Sequence, residues 1–139
     1  MRKLLTTFVV LSLIMLIVAG CAAPTPASVP DAQAAVCTAL ATLKTAVAQL
    51  GTITADTTIA EVQTMQKGID TAVEGVKTAA QAVPEAKIDG VTAAIDGLQS
   101  TVKAISPGDT LGDAAASITT SVQGVETAIQ ETQTTLSCK

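Results

Sequence analysis

The chain contains no histidine, no tryptophan and no tyrosine, and its one phenylalanine is Phe8. Without histidine there is no imidazole for acid–base work, for a Ser–His–Asp arrangement, or for ligating zinc or haem iron. Without aromatic rings beyond residue 8 there are no base-stacking platforms and none of the Trp or Tyr anchors that dominate tight interfaces. Basic residues are few as well, eight against twelve acidic ones in 139 residues, for a net charge of −4. That balance lacks the basic patch of a nucleic-acid binder. No CxxC pair, Gly-rich phosphate loop, nucleophile elbow or Ca²⁺ loop occurs. These absences point to a protein that is not an enzyme and carries no cofactor and no metal.

What is present begins at the N-terminus. Arg2 and Lys3 precede an uncharged run from Leu4 to Val18, rich in Leu, Ile and Val, and the run closes on Val18-Ala19-Gly20-Cys21. Cationic start, apolar middle and small-residue end make a secretory signal. The four closing residues resemble the lipobox of bacterial lipoproteins. The resemblance covers residues 1–21 and implies that Cys21 receives a diacylglyceryl group and becomes the first residue of the mature chain. Two or three acyl chains anchor firmly, whereas one binds only marginally. The resemblance also implies a place on the extracytoplasmic side of a bacterial envelope. With Ala22 rather than Asp after the cysteine, it implies the outer membrane in a two-membrane cell, and otherwise the outer face of the plasma membrane. The competing reading is an uncleaved anchor, because Leu4 to Ala23 is twenty residues without a charge, enough to span a bilayer. Against it, the run ends in small residues and no basic stop-transfer cluster follows.

Removing the first 20 of 139 residues leaves 119, one domain's worth. Arg2 and Lys3 leave with the signal, so six lysines face all twelve acids, net −6. Residues 21–33 hold the lipid-bearing cysteine and a tether with prolines at 24, 26 and 30, which favour extended chain over a packed core. Residues 34–139 form the domain.

Within the domain, apolar residues recur in steps of three and four. The first set is Val36, Leu40, Leu43, Val47 and Leu50. The second is Ile59, Val62, Ile69, Val73, Val76, Ala80 and Val83. The third is Ile88, Val91, Ile95, Leu98, Val102 and Ile105. The fourth is Leu111, Ile118, Val122, Val125, Ile129 and Leu136. Each set forms one stripe of a helix, and no stretch sustains the steps of two that a strand needs. The fold expected is all-α, an up-down-up-down four-helix bundle. Gly51 to Asp56 reads as a loop, Thr58 with Glu61 as a capping box, and Ser106-Pro107-Gly108-Asp109 as a turn. Thr110 suits the cap of the fourth helix, with Asp113 in its first turn. Pro84 is assigned to the first turn of the third helix, although a proline there can also kink one long helix.

The stripes begin at Val36, Ile69, Val91 and Ile118 with similar surroundings, at unequal intervals of 33, 22 and 27 residues. Unequal spacing fits a bundle better than a stacked solenoid. Gly75, Gly97 and Gly124 fall in the same slot, one residue before a stripe residue. They reflect either duplication or the close approach of a neighbouring helix. Ala39, Ala46, Ala72, Ala79, Ala94 and Ala128 fill the other shoulder and permit close packing.

Two cysteines remain once Cys21 is assigned to lipid. Cys37 lies at the start of the first helix and Cys138 beside the C-terminal Lys139. An even number of antiparallel helices brings both to one pole, and disulfides persist outside the cytoplasm. A Cys37–Cys138 disulfide is expected, the alternatives being two buried thiols or a link to another chain. Acidic residues such as Asp70, Glu74, Glu85, Asp89 and Asp96 lie off the stripes, and a solvated surface is the reading for them. Two functional classes remain: an envelope lipoprotein that acts by contact, as a structural or accessory subunit with the membrane and an envelope protein as partners, and a binding module that offers a groove to an apolar or helical ligand.

Overall fold

The computed structural model describes residues 28–105 and 111–139. They form four α-helices: α1 over Val29–Leu50, α2 over Ile59–Ala80, α3 over Asp89–Lys103 and α4 over Leu111–Thr135. No β-strand occurs among the described residues. The molecule is a four-helix bundle, built as two hairpins. α1 packs most extensively on α2 and α3 on α4, α1 also lies along α4, and α2 meets α3 far less than the other pairs meet.

The stripes form the core as their spacing requires. Leu40, Leu43, Ile118, Val125 and Ile129 are wholly buried, joined by Val36, Val47, Ile69, Val76, Ile95 and Leu98. Burying a Val, Leu or Ile side chain is worth about 1.5–3 kcal/mol, which outweighs the mediocre helix propensity of the many threonines. The alanine shoulders sit buried or half-buried against the cluster. Ile59 departs from its stripe and is 37 % exposed.

Several helical threonines share one local bond. Thr38, Thr42, Thr45, Thr64, Thr71 and Thr78 donate their hydroxyls to the carbonyl four residues earlier. A helical Thr otherwise competes with its own backbone. Thr132, the one buried polar residue among the described residues, is satisfied in the same way by the Ala128 carbonyl.

Two boundaries differ from the reading of the sequence. α1 starts at Val29, so residues 29–33, assigned above to the tether, are helical. The reason is local: Ser28 accepts a hydrogen bond from the Asp31 N–H at 3.4 Å, and Pro30 stands in the first turn, where no N–H is needed. Pro84 does not enter the third helix. It lies in the connection 81–88, whose Val83 and Ala86 reach into the core. α3 starts only at Asp89 and has no side-chain cap. α2 starts as expected: Thr58 and Glu61 form a reciprocal capping box, with the Glu61 carboxylate 2.7 Å from the Thr58 N–H. The expected turn at 106–109 and the Thr110 cap lie outside the described residues, as does the Asp113 side chain.

Candidate functional site

The two cysteines meet. Cys37 and Cys138 form a disulfide with Cα atoms 5.6 Å apart, bridging 101 residues of sequence. The end of α4 places Cys138 by a Schellman turn. The Cys138 N–H donates to the Gln133 carbonyl at 2.9 Å and the Ser137 N–H to the Thr134 carbonyl at 3.0 Å. Ser137 occupies the left-handed region at φ 53°, the conformation such a turn demands and one usually given to Gly. One turn before Cys37, on the same face of α1, Gln33 donates its side-chain amide to the Leu136 carbonyl. This polar bond and the disulfide together hold α1 to the end of α4. Both cysteines are half-buried. Cys21 and the apolar run before it lie outside the described residues.

A wide groove lies beside the disulfide, between Pro30, Ala34 and Ala41 of α1 and Gln133 and Ser137 at the end of α4, and the opposite pole has a smaller hollow of its own. Ile59, Val62, Gln63 and Gln66 of α2 face Val102 and Lys103 of α3, with Ile105 and Leu111, around a hollow of about 180 Å³. A second hollow, of about 290 Å³, lies further along the same seam between Asp70, Val73, Glu74 and Lys77 of α2 and Thr92, Ile95, Asp96 and Gln99 of α3. Between α2 and α3, Gln99 donates its amide to the Asp70 carboxylate at 2.6 Å.

The acidic residues are solvated, as the sequence suggested. Asp70, Glu74, Glu85, Asp89 and Asp96 are exposed, and Glu74 pairs with Lys77 at 3.0 Å on the surface of α2. Among the described residues, no three Cys, Asp or Glu side chains gather as a metal site would need. Glu61 has a displaced pKa. The Thr58 N–H, and then its hydroxyl, stabilise the ionised carboxylate and hold it below the ordinary value of 4.5.

No family model, curated protein or solved structure matches this chain. Its own geometry therefore carries the functional argument. Among the described residues, the three register glycines do not mark a helix contact. A Cβ built on Gly75, Gly97 or Gly124 would meet nothing within 4 Å, which corrects the close-approach reading. No helix among the described residues is long and apolar enough to cross a membrane. Sequence reasoning missed Gln33, Gln99 and Ser137. The two glutamines look like ordinary surface residues until their partners, 103 and 29 residues away, are placed. Ser137 had a weak signal, standing just past the last stripe residue, where a helix terminator is due.

Proposed function

We propose that the protein is a lipid-anchored lipoprotein of the bacterial envelope, held to the membrane through Cys21, that works by contact with an envelope protein partner and not by catalysis. The sequence Val18-Ala19-Gly20-Cys21 after an uncharged apolar run carries the anchor. The filled core supports the contact role. Val29 and Ile59 are the large hydrophobic side chains exposed among the described residues, and no buried side-chain nitrogen or oxygen there lacks a partner. A domain of this kind offers surface rather than a reaction vessel. On this reading the disulfide pole faces the membrane, since α1 begins there, and the α2–α3 hollow with Ile59 points away from it.

Mass spectrometry of protein extracted from its native membrane tests the anchor. A mature chain starting at Cys21 with added acyl mass is the expected result, and Cys21→Ser should release the domain from the membrane fraction. An intact Met1 terminus would end the proposal. The second reading, a module that binds an apolar ligand, draws on the hollow between Ile59, Val62, Val102 and Leu111. Titration with decanoate distinguishes the two: saturable shifts confined to these residues favour binding, and their absence favours contact alone.

A further inference from the structure

We propose that the bundle is a jaw: the two hairpins part at the pole bearing Ile59 and Leu111 while the disulfide pole stays shut. The argument starts from covalent connectivity. α1 joins α2 through residues 51–58 and α3 joins α4 through residues 104–110, and both connections run within a hairpin. The links between hairpins are the connection 81–88 and the Cys37–Cys138 disulfide. In an up-down-up-down bundle, both of these links lie where α1 and α3 begin and α2 and α4 end. The Gln33 bond to Leu136 lies at that pole too. Among the described residues, no covalent bond joins the hairpins at the other pole.

Packing follows the same asymmetry. α1 lies along α4, whereas α2 and α3 meet little, and both hollows of the seam fall between α2 and α3. The α1–α4 contact therefore acts as the spine, and the α2–α3 edge as the side that opens. Gln99 bridging to Asp70 is an exposed hydrogen bond, and such a bond contributes modestly to stability. Opening uncovers Val62, Val102 and Leu111, which the closed form keeps at 2 %, 8 % and 6 % exposure. Regions with few buried contacts are where proteins open below the cost of global unfolding. This device does not depend on lipid at Cys21.

Distance measurement between paired spin labels tests it, in full-length protein with the native disulfide verified by peptide mapping. One pair replaces Gln63 and Lys103, across the seam at the free pole. The reference pair replaces Thr38 and Thr134, across the disulfide pole. The jaw requires a second, longer population for the first pair and a single narrow one for the reference. Gln99→Ala should enlarge the longer population without touching the reference pair. A single narrow distance for both pairs, unchanged by Gln99→Ala, would overturn the proposal. So would equal broadening of both pairs, which is the behaviour of general loosening.

Discussion

At the start of α2, Thr58 and Glu61 satisfy each other's free backbone N–H groups, and residues this exposed matter only through that geometry. Thr58→Ala should lower stability by about 1 kcal/mol, the usual cost of a lost N-cap, measurable by urea denaturation. Glu61 adds a pH dependence. Its folded pKa is depressed below 4.5, so its contribution is complete above the unfolded value and is lost as pH falls through the folded one. Glu61→Gln retains the reach without the ionisation. Its stability should therefore fall less than that of the parent as pH is lowered from about 5 into the acid range, and an equal fall would show that the box is not the titrating element. Ser137 gives the opposite kind of test. It holds a left-handed conformation that costs an L-residue roughly 1–2 kcal/mol. Ser137→Gly should raise the melting temperature while leaving the Cys37–Cys138 link intact by peptide mapping. Capping was legible in the sequence because a box is a local pattern of two residue types three apart. The Ser137 turn was not, because a serine in that conformation is held by the hydrogen bonds of Ser137 and Cys138 rather than by its own preference.

At the scale of the element, the helices follow the apolar period closely, since burial is the dominant stabilising term and depends only on spacing. Their ends follow local chemistry that can mislead. Pro30 read as tether because proline favours extended chain, yet Ser28 turns it into a first-turn residue of α1. Pro84 read as a helix start, yet Val83 and Ala86 bury themselves and hold the segment as a connection. The glycine register shows the limit of pattern alone. Identical positions in α2, α3 and α4 suggested a packing reason, and the open space around Gly75, Gly97 and Gly124 shows none among the described residues. All three face solvent in mid-helix, where Gly is roughly 1 kcal/mol less favourable than Ala. The triple variant Gly75→Ala, Gly97→Ala, Gly124→Ala should thus be more stable by about 2–3 kcal/mol if the sites act independently. A destabilised triple variant would mean that another molecule, or an open form of the bundle, needs the bare backbone.

For the molecule as a whole, the even number of helices and the disulfide are one fact seen twice. Merging α2 and α3 into a single helix would leave three helices and put the ends of the chain at opposite poles. Antiparallel helices of about 20 residues span roughly 30 Å, far beyond the separation a disulfide tolerates. The 5.6 Å between the Cα atoms of Cys37 and Cys138 is compatible with four. The sequence could reach this topology because stripes, turn residues and cysteine positions agree with one another. It could not reach the unequal packing of the sides, because which neighbouring helices press hardest depends on side-chain fit across long sequence separations. The bridge should matter most for the unfolded chain. It closes a loop spanning 101 residues, and closing a loop of that size is worth up to about 4.7 kcal/mol by chain entropy. Cys138→Ser should accordingly lower the melting temperature substantially while far-UV circular dichroism of the folded state keeps its helical signal. Leu40→Ala, which removes a wholly buried side chain, should cost a comparable 2–5 kcal/mol by a different route, through a cavity in the folded state. The two effects should add, because one acts on the unfolded ensemble and the other on the native core. Strong non-additivity in the double variant would show that the disulfide also shapes the native packing around Leu40. Free thiols at both positions in protein taken from its native source would remove the bridge from the working molecule altogether.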